Sequence, residues 1–243
     1  MKEGDDSILY PIRINRYLYL AGICSRREAD RLIERGEVYI NNTKAVLGQQ
    51  IHETDDVQIG KKAAAKLADR EYYALNKPKG VVSHNPKEGE QAANELVLTK
   101  ATLFPLGRLD KASRGLMILT NDGRLTHAIL SPEFEHEKEY TVKVDKRIPD
   151  TKLNALSRGV SIEGYKTKPA KVTRISENMF RIVLTEGKKH QIRRMCAAHG
   201  FVVRDIFRTR IMHITLGRMQ AGQSRKLTDK EISGLLSAAG IHA

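Results

Sequence analysis

Apolar residues recur at helical intervals near the start of the chain and mostly at strand intervals afterwards. Ile14, Tyr17, Leu18 and Ala21 fall three and four apart, which predicts a short amphipathic helix. A second helix is predicted from Ser25. Its apolar stripe is Ala29, Leu32 and Ile33, and Arg27, Arg31 and Arg35 lie four apart on another face. Ser25-Arg26-Arg27-Glu28 has the form of a capping box, and Gly36 suits the left-handed residue that ends a helix. Residues 38–40, the Asn41-Asn42 turn and residues 44–46 predict a hairpin, with a further strand over 57–59. Residues 61–70, KKAAAKLADR, are small, basic and without turn residues, and read as a linker with partial helical character.

From Glu71 the pattern becomes mixed. Strands are predicted over 72–76, 81–83, 116–120, 140–144, 170–175, 180–185, 202–207 and 211–216. Helices are predicted over 125–130, 151–158, 189–199 and 229–238, the last opening on a capping box from Thr228 to Glu231. Strands and helices do not alternate strictly, which points to an α+β fold. The expected organisation is a small α/β module over 1–60, a linker over 61–70, and a larger, mainly antiparallel domain over 71–243.

Charge narrows the class of partner. Forty-two Lys and Arg against 29 Asp and Glu give a net charge of +13, which favours polyanions. The chain has no Trp, so a recognition surface built mainly from stacked aromatics is not expected. Cys24 and Cys196 offer neither a disulfide framework nor metal-ligand spacing, and suit a reducing compartment. No apolar run reaches the roughly 20 residues that span a bilayer. The polar, acidic stretch Met1 to Ser7 is unlike a signal peptide. The expectation is a cytoplasmic, monomeric protein without membrane, metal or small-molecule cofactor.

Two constellations stand out. The amino end of the helix at Ser25, crowded by Arg26, Arg27 and Arg31, is suited to phosphate. In Gly107-Arg108-Leu109-Asp110-Lys111-Ala112-Ser113-Arg114 one carboxylate lies among three cations, just before an apolar strand. Neighbouring cations favour its ionised form. Taken alone, the first is a solvated basic face and the second a turn aspartate. Farther on, Ile192, Met195, Cys196 and His199 share a helix face, which makes Cys196 a core thiol. His190 reads as a helix-surface histidine.

The longer patterns change this reading. The order helix, capped Ser-Arg-Arg-Glu helix, Gly36 and hairpin over about residues 13–60 resembles a small RNA-binding module first recognised in a small-subunit ribosomal protein. That resemblance implies that Arg13, Ser25, Arg26, Arg27, Arg31 and Asn41 face RNA. The string GRLDKASRGLMILTNDG at 107–123 resembles the signature of the ribosomal-type pseudouridine synthases, the Rsu and Rlu family, and within it the enzymes of large-subunit rRNA. LNKPKG at 75–80, HEKEY at 136–140, GKKHQIRRM at 187–195 and RTRIM at 208–212 agree in order.

The resemblance implies isomerisation of uridine without cofactor. The bond from ribose to the ring nitrogen breaks, and the uracil rotates and reattaches through carbon. It implies Asp110 as the essential carboxylate, acting either as a nucleophile or by taking a ribose proton. It implies Tyr140 stacked on the extruded uracil and Arg193 paired with Asp110 to keep it charged. A uridine in a stem must leave its stack to reach Asp110, so base flipping is expected. Arg108 would fill the gap or hold a flanking phosphate, and Lys111 and Arg194 would meet RNA. Large-subunit rRNA is the expected substrate and a tRNA stem-loop a possible second. The rival readings are a noncatalytic assembly factor, with Asp110 structural, and a metal-dependent nuclease.

Overall fold

The computed structural model describes residues 8–241; the acidic stretch Met1 to Ser7 lies outside them. The N-terminal part runs β1 (Ile12–Arg13), α1 (Ile14–Leu20), α2 (Arg26–Glu34), β2 (Val38–Ile40), β3 (Thr43–Lys44), β4 (Gln50–Ile51), β5 (Val57–Ile59) and α3 (Lys61–Ala68). The apolar faces of α1 and α2 bury Ile14, Leu18, Ala29, Leu32 and Ile33 with Val38 and Ile40 of the sheet β3-β2-β5. The stretch read as a linker is the helix α3. Its Ala63 joins the same core, so it is packed rather than a free tether. Half of the expected capping box forms: the Glu28 amide donates to Ser25 Oγ at 3.3 Å. The Glu28 carboxylate instead lies 3.6 Å from Arg70 Nη1.

The larger part comprises β6 (Tyr72–Lys77), β7 (Phe104–Leu106), β8 (Arg114–Thr120), α4 (Leu125–Leu130), β9 (Lys138–Val144), α5 (Asp150–Ser157), β10 (Ser161–Ile162), β11 (Tyr165–Lys166), β12 (Lys171–Ser176), β13 (Met179–Leu184), α6 (Gln191–Ala197), β14 (Val203–Ile211), β15 (Ile214–Thr215), β16 (Ser224–Lys226) and α7 (Asp229–Ala238). A nine-stranded sheet has the order β12-β13-β9-β14-β8-β6-β16, with β15 on β14 and β7 on β8. Its pairs are antiparallel except β8 with β14, which are parallel. The mixed α+β architecture agrees with the sequence.

Period-two alternation builds two layers from one strand. On β8, Leu116 and Ile118 face the cluster completed by Leu125 and Ile129 of α4 and Leu235 of α7. Met117 and Leu119 face the opposite cluster, with Val81, Val97, Leu103 and Leu109. A third cluster unites β9, β13 and β14 with α5 and α6. Tyr140 on β9 packs against the third cluster and against that of Leu109, so it stands at the seam between the halves of the sheet.

Two expectations need correction. Residues 81–83 make only a bridge from Val82 to Ala92, and the Val81 carbonyl accepts from the Lys77 side chain instead of a neighbouring strand. The strands expected over 202–207 and 211–216 are chiefly one long strand, β14. The polar run Arg208-Thr209-Arg210 breaks the apolar pattern, but Arg208 is buried within the sheet.

The capping box at α7 forms in full, with the Glu231 amide donating to Thr228 Oγ1 at 3.3 Å and the Thr228 amide donating to Glu231 at 2.9 Å. Thr228→Ala is expected to lower stability by about 1 kcal/mol in urea melts. An unchanged midpoint would show that the cap contributes nothing.

The two parts meet through hydrogen bonds. Arg124 Nη1 donates to Gly22 O at 2.8 Å, and Arg70 Nη2 donates to Ile23 O at 3.2 Å. Gly123 sits so close to α2 that a Cβ there would come within 2.7 Å of Ser25 Oγ.

Candidate active site

The loop between β7 and β8 carries the chemistry, and its backbone is held at almost every carbonyl. Arg208 Nη1 donates to Arg108 O at 3.4 Å, and Ser83 Oγ donates to Leu109 O at 2.6 Å. The Gly80 amide donates to Lys111 O at 2.8 Å, and Arg193 Nη2 donates to Ala112 O at 3.3 Å. The Ser113 amide closes a turn onto Asp110 O at 2.9 Å. Leu109 anchors the loop in the core, its amide donating to Ser83 Oγ at 2.9 Å. A loop held this way keeps its shape while a ligand enters, which is what a positioned carboxylate requires. The Asp110 side chain remains 37% exposed, with its Oδ1 3.5 Å from His190 Nε2.

His190 is placed differently from the sequence reading. It is not on the helix surface but at the cap of α6, with φ 53. That left-handed turn aims its ring at Asp110, and such strain in a bulky residue marks a site under constraint. Arg193 is also corrected. It does not come within 4.0 Å of the Asp110 carboxylate. Its guanidinium bridges Ala112 O and Val203 O, the latter at 3.1 Å, and so ties the Asp110 loop to β14. Tyr140 is partly buried at the seam, and its hydroxyl has no hydrogen-bond partner among the described residues.

The cations beside Asp110 in sequence do not neutralise it. Lys111 reaches Glu90 at 2.8 Å. Arg114 makes a two-pronged pair with Asp205, at 2.8 and 3.1 Å, and stacks 4.0 Å above the Phe207 ring. Arg108 is exposed. The tight turn from Asp110 to Ser113 sends consecutive side chains in different directions. Spatial neighbours come from distant strands instead: buried Lys77 of β6, whose charge the Asp110 carboxylate favours, and buried Arg208 of β14. The sequence reading noted both residues within motifs but gave neither a role.

The residues expected at RNA divide. Arg13, Arg26, Arg27 and Arg31 are exposed, and the last three have no carboxylate within 4.0 Å among the described residues. Ser25 is corrected: it caps α2 and faces Gly123, so the catalytic part covers that helix end. Asn41 is exposed, but its amide donates to Asp55 at 2.7 Å and its oxygen accepts from the Asp56 amide at 2.9 Å. Arg194 is ion-paired with Glu163 and so is not a free phosphate ligand.

Cys24 and Cys196 are buried, and burial pushes both thiols up to about 12. Among the described residues no three His, Cys, Asp or Glu side chains gather as a metal site, and no helix is long and apolar enough to cross a membrane. Two surface depressions lie away from Asp110, one lined by Glu139, Thr209 and Gly217 and the other by Arg147, Asp150 and Arg174.

Comparison with known proteins agrees with this geometry. The family described as RNA pseudouridylate synthase matches residues 71–198, and the S4 domain matches residues 12–57. The chain is 42% identical over 226 residues to the dual-specificity RNA pseudouridine synthase RluF of Escherichia coli (strain K12), covering 92% of this chain and 78% of that protein. It is 31% identical over 238 residues to the ribosomal large subunit pseudouridine synthase B of Bacillus subtilis (strain 168), covering 93% and 96%. A crystal structure of a pseudouridylate synthase superposes with a TM-score of 0.68 at 28% identity, covering 92% of this chain and 99% of that one. On the match to that family over residues 71–198 and on relatives this similar along most of their length, the chain belongs to the RNA pseudouridylate synthase family.

Proposed function

We propose that this protein isomerises uridine to pseudouridine in ribosomal RNA. Large-subunit rRNA is its main substrate and a tRNA stem-loop a second. The observation that carries this reading is the single carboxylate of Asp110, presented by a loop that five backbone hydrogen bonds hold in place. The names of the relatives support the RNA class.

In this reading Asp110 is the catalytic acid residue and attacks the sugar or takes its proton. Tyr140 lies under the flipped base. Arg193 positions the Asp110 loop through Ala112 O. The enzyme acts as a cytoplasmic monomer, with an RNA-binding module over 1–60 joined through 61–70 to a catalytic domain over 71–243. Flipping the target base costs a few kcal/mol, recovered in contacts to the flipped nucleotide.

The test is release of tritium from RNA labelled at uracil C5, since that hydrogen is lost when C5 takes the place of N1 on the sugar. Wild-type protein is expected to release label in stoichiometric agreement with pseudouridine formed, in EDTA as in magnesium. Binding without release would establish the noncatalytic reading. Strand cleavage that requires magnesium would establish the nuclease.

The exposed arginines of the N-terminal part are the proposed phosphate contacts. Replacing Arg26, Arg27 and Arg31 together by Ala is expected to weaken RNA binding for all sequences alike. The slope of log affinity against log salt should fall by roughly one per lost contact. An unchanged slope would place the RNA elsewhere.

A further inference from the structure

Two buried cations, Lys77 and Arg208, and the half-buried Lys138 have no counter-charge in the reading above. Lys77 is 0% exposed, and its Nζ donates to Pro78 O and Val81 O, both at 2.8 Å. Arg208 is 1% exposed, and its Nε donates to Leu116 O at 2.6 Å. Its Nη2 is buried without a hydrogen-bond partner among the described residues. Lys138 donates to His136 O at 3.1 Å. None of the three has a carboxylate within 4.0 Å among the described residues. Buried charges are normally paired, because removing an ion from water without compensation costs several kcal/mol.

These charges lie at the reacting centre. Arg208 is the register partner of Tyr140 on β9 and of Gly115 on β8. A Cβ at Gly115 would collide with the Arg208 backbone, so glycine there lets β14 approach the end of the Asp110 loop. Burial, then the charge of Arg208, lowers both Lys77 and Lys138 to about 8, and Asp110 pulls Lys77 back upward. The elements around this point also bring Asp110 with its neighbour His190, Tyr140 of β9, Arg193 of α6 and the Arg114–Asp205 pair of β8 and β14.

We propose that Lys77, Arg208 and Lys138 form a fixed positive field whose counter-charge arrives with the substrate, as the uracil anion formed when the glycosidic bond breaks. This rests on the assignment of Asp110 above but not on its precise role. If Asp110 bonds to C1′, N1 leaves with the bonding pair. If Asp110 takes the C2′ proton, the C2′–H pair becomes the C1′–C2′ double bond and N1 again leaves with its pair. Either way the ring carries one negative charge over N1, O2 and O4. That charge persists until the ring's pair forms the C5–C1′ bond, as the Asp110–C1′ bond breaks or Asp110 returns the proton to C2′; C5 then loses its proton and N1 gains one. Cations already in place need no reorganisation when this charge develops. Arg208 and Lys77 also hold the loop and the β6 end, so they are positioning residues acting through the field.

The experiment compares Arg208→Gln, Arg208→Lys, Lys77→Gln and Lys77→Arg in single-turnover tritium release, with RNA affinity and urea melts measured alongside. The Gln variants are expected to lose about 10²-fold in rate at nearly unchanged RNA affinity, and Arg208→Lys to recover part of the loss. The wild-type rate should fall on the alkaline side as Lys77 sheds its proton near pH 8. Lys77→Arg, which stays charged, should move that limb to higher pH. A merely structural lysine would not move it. Wild-type turnover in the Gln variants, or an alkaline limb unmoved in Lys77→Arg, overturns the inference. Should Arg208→Gln fail to fold, the Lys77→Arg profile still decides. Absence of tritium release in the wild type would instead refute the proposed reaction.

Discussion

Asp110→Asn is expected to abolish pseudouridine formation, by about 10⁴-fold or more in kcat, while leaving fold and RNA affinity intact. Asparagine has the same shape but neither bonds to an anomeric carbon nor takes a proton from ribose. The loop keeps its form in the variant because its backbone is held from outside, by Ser83, Gly80, Arg193 and Arg208. The carboxylate itself contributes a 3.5 Å approach to His190 and a favourable charge toward Lys77. Stability should therefore stay within about 0.5 kcal/mol, as for ordinary exposed substitutions. Single-turnover tritium release, filter binding and a urea melt on one preparation measure all three. Appreciable turnover by the Asn variant would remove Asp110 from the reaction and with it the proposed mechanism.

Asp122→Ala is expected to cost about 3–5 kcal/mol, the largest stability loss predicted for this protein. Asp122 is fully buried, accepts from Tyr72 Oη at 2.7 Å, and forms a two-pronged pair with Arg124, at 2.8 and 2.6 Å. Arg70 adds a second positive group at 3.8 Å. Removing the acid leaves two guanidiniums and a phenol hydroxyl in a dry interior. Those same arginines donate to Gly22 O and Ile23 O of the other part, so the variant should also loosen the junction. Limited proteolysis would then cut near residues 61–70, and chemical denaturation would report the loss. A change under 1 kcal/mol would mean that the pair is already solvated.

The same residue sets a dependence on pH. Burial pushes the Asp122 carboxyl up, but hydrogen bonds from Arg124 and Tyr72 and the charges of Arg124 and Arg70 outweigh it, so it titrates below its ordinary value. Between the folded and unfolded values the unfolded chain binds more protons. Asp122 thus stabilises fully above about pH 4 and progressively less as pH falls through its folded value. Asp122→Ala should flatten the acid limb of the stability curve.

The junction also sets where the proposed phosphate contacts stand. A module bonded to the catalytic part at Gly22, Ile23 and Glu28 holds Arg26, Arg27 and Arg31 at a fixed offset from Asp110. The sequence reading took 61–70 as a linker. The packed α3, ending in the Arg70 that crosses the junction, makes it a brace instead.

Much of this protein was legible in its residues. Periodicity placed α1, α2, α4, α7 and the central strands, because each element buries one stripe or face and spacing reports which. The ordered motifs identified the family, and the segment from Gly107 to Arg114 holds a single acid, Asp110, among three cations. What the chain order could not reveal was which charges meet. Lys111 and Arg114 adjoin Asp110 in sequence yet pair with Glu90 and Asp205, because a tight turn disperses neighbouring side chains. His190 and Lys77 come near that carboxylate from the cap of α6 and from β6, and Arg208 of β14 reaches its loop at Arg108 O, brought there by strand order and by the parallel pairing of β8 with β14. Ser25 looked ready for phosphate until Gly123 covered it. Local pattern reports burial, a property of one residue and its period, and so determines the elements and the chemistry available. Electrostatic partnership depends on distances between segments far apart in the chain, and only the tertiary structure decides those.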